Sequence, residues 1–382
     1  MAEPFIVFGA PLIGEEEIAE VVATLRSGWI GTGPRALAFE EAFRDYTGAA
    51  HAVAVNSCTA GMHLALIVAG VGAGDEVITT PMTFCATANV ILHVGAVPVF
   101  VDVDRATLNI DPNRIEAAIT PRTRAILPVH MAGRPCDIDA IRAVAARHGL
   151  TVIEDAAHCV EGRVGERRVG SISELTCFSF YATKNLTTAE GGMVTTSRAD
   201  WAEALRRYRL HGLDQDAWKR YGPGGVRHYE AVVPGFKYNL SDLQAAMGLP
   251  QLRRLEQNLK RREEVWAIYD AAFVGLALTV PAAPAAGTRH ARHLYTLLVD
   301  EARAGLTRDT FRERLNAVGV GTGVHFIAVH LHAYYRERFG FKPEDFPNAA
   351  WISARTVSLP LSAKLSDREV ERVVEAVKGS LG

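Results

Sequence analysis
Lysine is scarce in this chain. Of its 382 residues 41 are cationic, yet only seven of those are lysine and none lies in the first 183 positions, so each lysine invites a question. A basic excess is missing as well. The 41 cationic side chains face 43 acidic ones, a net charge of −2, and no electrostatic footprint for nucleic acid is expected. Five cysteines (Cys58, Cys85, Cys136, Cys159 and Cys177) form an odd, scattered set with no C-x-x-C pair. Neither a disulfide framework nor a zinc finger is encoded, and a reducing cytoplasm suits the set. The chain also lacks any run of eighteen apolar residues, and its first seventeen positions reach acid without a cationic stretch; neither a membrane span nor secretion is expected. No period of 20 to 50 residues repeats and no low-complexity tract appears, which sets aside solenoids and long linkers. What is left is a globular composition, 48% hydrophobic and 22% charged, at a length that predicts about two to three domains with a sizeable core.

Strand-like and helix-like segments alternate along the first two-thirds. Short β-branched runs (Ala52–Val55, Glu76–Thr79, Val97–Val101, Ala125–Val129, Thr151–Ile153, Thr176–Phe180 and Met193–Thr195) are separated by helical patterns such as Ala60–Ala69, Asp137–His148 and Trp201–Leu210. Strands apolar on both faces predict a mostly parallel sheet between layers of helices, an α/β fold. Beyond Pro250 the texture changes. Gln251 to Phe273 reads as one long amphipathic helix, and the Ala/Pro-rich Pro281–Gly287 then breaks the chain. The expected division is a large domain over residues 1–250, its residues 1–13 packing on the smaller part, and a small C-terminal α+β domain over 251–382. The strand-like Leu294–Val299, a helix from about Arg308 to Val318 and a final helix from Ser366 belong to the latter.

In an open parallel sheet, ligands collect at the carboxyl ends of the strands. Four such positions carry unusual chemistry. Asn56-Ser-Cys-Thr-Ala-Gly61 leads from a strand into a helix and offers free N–H groups and hydroxyls to an anion, although Ser57 and Thr59 also suit a plain helix cap. Glu154, Asp155 and His158 end another strand, where a buried acid would keep a heterocyclic nitrogen protonated; a salt bridge is the plainer alternative. Lys184, the first lysine, follows the apolar Leu175–Phe180 and precedes Gly191-Gly192. Desolvated, it would be a nucleophile or Schiff-base partner; otherwise it is a surface-loop lysine. Phe84 just past a strand suits stacking on a flat ring, or belongs to the core. His325, His330 and His332 lie close together, but no neighbouring carboxylate or cysteine completes a ligand set and no metal is expected. Gly70-Val-Gly72-Ala-Gly74 follows a helix rather than a strand, so it reads as a turn and not a dinucleotide loop. An anion cradle, an acid at a strand end, an aromatic plate and a reactive lysine together fit one cofactor, pyridoxal 5′-phosphate.

These motifs also carry a resemblance. Gly28-Trp-Ile-Gly-Thr-Gly-Pro34, Asn56–Gly61, Glu154-Asp-Ala-Ala-His158, Phe178-Ser-Phe-Tyr-Ala-Thr-Lys184, Ala189-Glu-Gly-Gly192, Gly235–Ala246 and Thr322–His330 occur in order. The chain resembles, from Gly9 to its last helix, the DegT/StrS family of sugar-nucleotide aminotransferases within fold type I pyridoxal-phosphate enzymes. The resemblance implies a seven-stranded sheet in the large domain. It implies that Lys184 bonds the cofactor aldehyde, Asp155 pairs with the pyridine nitrogen, Phe84 stacks on one ring face and His158 sits beside the ring. Thr59, the Ala60 N–H and Ser179 would hold the phosphate. Asn239 would reach the phosphate of the partner subunit, so a homodimer with shared active sites is expected. L-Glutamate would be the amino donor, leaving 2-oxoglutarate, and a nucleotide-linked keto sugar the acceptor. His158 and the Gly321–Phe326 run look most like the branch that aminates C4, nearest in look to enzymes making UDP-4-amino-4-deoxy-L-arabinose. The expected acceptor is a UDP-4-keto-pentose or an NDP-4-keto-6-deoxyhexose, with a C3 keto sugar or a cyclitol as alternatives. A non-catalytic, sugar-nucleotide-sensing relative is the remote one. Trp29, Tyr181, His325 and His330 are the candidates for contacts with the sugar and diphosphate.

Overall fold
The computed structural model describes residues 4–214 and 229–381. Strands β1 (His51–Val55), β2 (Glu76–Thr79), β3 (Val97–Phe100), β4 (Thr123–Leu127) and β5 (Thr151–Asp155) form where β-branched runs are bounded by turn residues. After a small ribbon of β6 (Arg163–Val164) and β7 (Arg167–Arg168) come β8 (Leu175–Ser179) and β9 (Gly192–Thr196). Seven of these make one sheet in the order β1-β9-β8-β5-β4-β2-β3. Every pairing among β2, β3, β4, β5 and β8 is parallel, while β9 runs antiparallel to both neighbours. β8 and β9 are buried along their whole length, so their side chains are apolar or small on both faces.

Helices α1 (Glu15–Ser27), α2 (Pro34–Thr47), α3 (Cys58–Val68), α4 (Cys85–His93), α5 (Ile138–His148) and α6 (Ala199–Tyr208) connect and cover the strands. Helix α3 is nearly all apolar and buries Cys58 and the residues from Ala60 to Leu66 against β1, β5, β8 and β9. On the other face Phe39 and Phe43 of α2 meet Phe178 and Phe180 edge to face at 4.9–5.4 Å, each pair adding about 0.5–1.5 kcal/mol beyond burial. Glu40 and Arg209 form a buried ion pair beneath them, and Arg209 also donates to the Ala54 carbonyl at 2.7 Å.

The single helix expected over Gln251–Phe273 is two. Helix α7 (Asp242–Arg253) carries Pro250 in its interior, and α8 (Leu255–Ala272) restarts after a non-helical Arg254. The apolar stripe runs through the joint, since Leu252, Leu255 and Leu259 are all buried, and this continuity hides the break. Beyond α8, β10 (Leu278–Thr279), β12 (Tyr295–Val299) and β13 (Thr356–Leu359) form a second, antiparallel sheet, while β11 (Thr288–Arg289) joins the β6–β7 ribbon. Helices Arg308–Ala317 and Asp367–Leu381 pack with α8 on the second sheet around Tyr269, Phe273, Tyr295, Phe311 and Val373. Ile6 shares this core and hydrogen-bonds through its backbone to Gly319 and Gly321. Among the described residues no helix is long and apolar enough to cross a membrane.

Candidate active site
The carboxyl ends of β1, β2, β5 and β8 open on one cavity of about 450 Å³. Thr59, Phe84, Asp155, His158, Ser179, Tyr181, Lys184 and His325 all line it. Residues separated by more than 200 positions therefore face one another because their strands end on the same edge.

Asp155 is the last residue of β5 and is buried. Strand alternation sends its neighbour Glu154 to the opposite face, where Glu154 accepts hydrogen bonds from His130 Nε2 (2.7 Å), Ser173 N (3.2 Å) and Thr176 Oγ1 (3.1 Å). Glu154 is thus a core acid, and only Asp155 belongs to the site. Thr87 Oγ1 donates to Asp155 Oδ2 at 2.9 Å, Ala157 N to Oδ1 at 3.1 Å, and the Cys58 thiol lies 4.0 Å from Oδ1. Thr83 lies 2.8 Å behind Thr87, completing a hydroxyl relay. Burial nevertheless pushes the Asp155 carboxyl up, against the pull of these donors and of Lys184. A cation placed against this acid would reverse that rise.

Lys184 sits in the turn after β8, its N–H bonded to the Tyr181 carbonyl at 2.9 Å. Desolvation lowers its ammonium from 10.5 to about 8, opposed by Asp155 and Cys58. Three imidazoles share the cavity. His158 and His293 are held far below the usual histidine range by burial and then by the Lys184 charge, and His325 is lowered to about 3 by the same two causes. All three are neutral at physiological pH. His158 packs on His293 at 4.6 Å and stacks on Phe326 at 5.9 Å, and its buried Nδ1 has no partner among the described residues. His325 Nδ1 is tied to Ser358 Oγ at 2.9 Å. Phe84 is 60% exposed, which overturns the plain core alternative for it: its ring is a wall of the cavity.

The helix start after β1 is shared between the two readings of the sequence. Ser57 Oγ accepts the Ala60 N–H, the amide expected at a phosphate, at 3.0 Å as a helix cap, while Ser57, Cys58 and Thr59 line the cavity. β9 packs closely against this helix start. A Cβ on Gly192 would lie 2.6 Å from the Ser57 carbonyl carbon and 2.7 Å from Cys58 N, and one on Gly61 2.9 Å from Val194 Cγ2; only glycine fits at either position.

Three expected site residues stand apart from this cavity. His330 is fully buried, against Phe346, and neither ring nitrogen has a partner among the described residues. A sealed imidazole does not meet a sugar, and the expectation of substrate contact is corrected. Trp29 closes over Gly33 and donates from Nε1 to the Thr32 carbonyl at 3.3 Å. Asn239 donates to Thr32 Oγ1 and pairs through its backbone with Val55. Conversely, Thr87 and His293 border the cavity or its acid without standing out in the sequence, and Glu190 and Phe326, which lie in motifs already noted, line it too. Thr87 carried a faint signal, three residues past Phe84 at the opening of a helix. His293 carried none.

An amine, a buried acid beside it, a flat apolar wall, a hydroxyl-rich helix start and an imidazole nitrogen without a partner among the described residues suit a phosphorylated pyridine aldehyde. The comparisons agree. The chain matches the DegT/DnrJ/EryC1/StrS aminotransferase family over residues 11–378. It is 53% identical over 376 residues to the spore coat polysaccharide biosynthesis protein SpsC of Bacillus subtilis (strain 168), covering 98% of this chain and 96% of that one. Among solved structures it is similar to the putative sugar aminotransferase Spr1654 of Streptococcus pneumoniae, known in PMP and PLP forms, with a TM-score of 0.92 for the PMP form, 35% identity and coverage of 98% and 99%. DesI, solved in the presence of its TDP-sugar product, gives a TM-score of 0.88 at 33% identity and covers 100% of this chain and 95% of that one. With the cavity, its lysine and its acid in place, these likenesses establish that the chain belongs to the DegT/DnrJ/EryC1/StrS aminotransferase family and is a pyridoxal-phosphate-dependent sugar aminotransferase.

Proposed function
We propose that the enzyme moves an amino group from L-glutamate to the C4 ketone of a nucleotide-linked 4-keto sugar, a UDP-4-keto-pentose or an NDP-4-keto-6-deoxyhexose. The observation that carries the chemistry is Lys184, its ammonium lowered to about 8, in one cavity with the buried Asp155. DesI, solved with a TDP-sugar product, supports a nucleotide sugar as acceptor, and the His158 and Gly321–Phe326 motifs support C4.

When bound, pyridoxal phosphate supplies an aldehyde conjugated to a protonated pyridine, which stores the amino group between donor and acceptor and draws in the electrons of a broken C–H bond. Lys184 would bond the aldehyde at rest and, once freed, would take a proton from the donor Cα and return one to the sugar carbon; a lowered ammonium suits both roles near neutral pH. Asp155 keeps the pyridine nitrogen protonated, steadied by Thr87 and the Ala157 N–H. Phe84 would press on one ring face and His158 would border it. Thr59 and Ser179 hold the phosphate through hydroxyls. Tyr181 and His325 meet the sugar side. Asn239 and Trp29 act across a homodimer interface, at the partner's site. In this reading residues 1–250 carry the cofactor and 251–382 close over the substrate.

The acceptor is tested by supplying glutamate with each of four ketones: a UDP-4-keto-pentose, a dTDP-4-keto-6-deoxyhexose, a dTDP-3-keto-6-deoxyhexose and a keto-cyclitol. Amino product measured by mass should form from one of the first two. A missing C6 methyl shifts the preference between them by about 1–3 kcal/mol, or roughly 10- to 200-fold. Product from the C3 ketone or the cyclitol alone would contradict the proposal.

A further inference from the structure
Next to Lys184, the side chain of Asn185 has its orientation fixed by its surroundings. Its Nδ2 donates to Glu161 Oε2 and to the Ala291 carbonyl, both at 2.9 Å. These two partners have no hydrogen to give, so the amide cannot be turned over without facing oxygen to oxygen twice. Asn185 Oδ1 is therefore the atom 2.9 Å from His293 Nδ1. An amide oxygen only accepts, and so the His293 hydrogen sits on Nδ1. His293 is neutral, as burial and the Lys184 charge require, and its Nε2 is left bare. That nitrogen makes no hydrogen bond among the described residues and is not sealed in the interior, while His293 lines the cavity that holds Lys184.

The lock is anchored from α8. Arg262 forms a fully buried ion pair with Glu161 and donates from Nε to the Arg292 carbonyl at 3.0 Å. The groups whose charge His293 feels are Lys184, His325, Arg262 and His290, and His158 packs on its face. The Lys184 amine also faces the Asp155 carboxyl, and the neutral His158 and His325 rings in the same cavity each keep one acceptor nitrogen.

We propose that Arg262, Glu161 and Asn185 hold His293 in its Nδ1–H form so that its bare Nε2 accepts a hydrogen from the Lys184 amine whenever that amine is free, poising it for proton transfer. His293 is a positioning residue, acting through Lys184. The inference rests on the glutamate half-reaction of the proposed function and not on which sugar follows.

The test has two parts. Long-range ¹H–¹⁵N spectra of the ¹⁵N-histidine-labelled apo-protein, with His293 assigned from its loss in His293→Phe, should show a protonated Nδ1 and a bare Nε2; Asn185→Leu should lose this pattern. An Nε2–H form in the wild type overturns the proposal. Single-turnover reaction of the holoenzyme with glutamate should slow about tenfold in His293→Phe, the value of one hydrogen bond to a charged group, with largely recovered rate in His293→Gln, which keeps an acceptor. The acid limb of the pH profile should move to lower pH in His293→Phe, since the ammonium loses a partner. A wild-type rate and profile in that variant overturn the role. Failure of the wild-type enzyme to react with glutamate would contradict the donor reading instead, and the tautomer readout on the apo-protein still decides this one.

Discussion
At the residue scale the chemistry turns on Lys184. Its ammonium is lowered from 10.5 to about 8, so in the apo-protein the folded state binds fewer protons than the unfolded chain between those two values. Stability contributed by this residue then rises with pH through that window, and below about pH 8 a charged lysine sits at full desolvation cost. The difference amounts to at most about 3 kcal/mol, less whatever its partial exposure screens. Apo Lys184→Met should accordingly be more stable than apo wild type at pH 7, with the gap narrowing toward pH 10; urea melts at several pH values measure it, and a pH-independent gap contradicts desolvation of the ammonium as its origin. For Asp155, replacement by Asn removes the partner of a pyridinium. Visible spectra of Asp155→Asn should show weakened cofactor binding and a half-reaction slowed by at least about a hundredfold, in the range expected of acid–base machinery.

The elements explain why so much was legible in the sequence and where legibility stopped. All seven sheet strands were readable because short apolar runs bounded by turn residues leave no helical period, most plainly in β2, β8 and β9, which are buried throughout. The reactive turn was readable because Lys184 is the first lysine of an arginine-using chain. The joint between α7 and α8 was hidden by an apolar stripe that continues across Arg254, with Pro250 inside the earlier helix rather than at its end. His293 was invisible because its place at the cavity depends on Ala132 and Gly133, whose carbonyls hold the backbone of Ala291 to Leu294, a contact between segments about 160 positions apart in sequence. The Ala60 amide, bonded to Ser57 Oγ, shows the opposite limit: a cap and an anion cradle share one pattern. One prediction belongs to this scale. Gly192→Ala drives a methyl into the α3 N-terminus and should cost about 1–3 kcal/mol as over-packing does, along with cofactor affinity. Gly72→Ala, where nothing lies within 4 Å, should change melting by within about 0.5 kcal/mol. Equal effects from the two would contradict the close approach of β9 to α3 as the cause.

For the whole molecule, the single chain leaves Trp29 and Asn239, both expected at the site, outside the cavity. The proposed homodimer accounts for both, because a two-fold axis can bring each to the other subunit's site. Mixing and re-annealing inactive Lys184→Ala with Asn239→Ala should then restore about a quarter of wild-type activity, as half the dimers are mixed and each of those holds one intact site of two. No gain over the parent variants would place Asn239 outside the partner's site.

The central claim is amino transfer through a cofactor bound to Lys184, and the absorbance spectrum of the purified protein with pyridoxal phosphate, before and after excess glutamate, tests it most directly. The expected result is a visible band from the lysine-bound cofactor that glutamate abolishes, and that Lys184→Ala never forms. A band that glutamate leaves unchanged, or one that persists in Lys184→Ala, would contradict it.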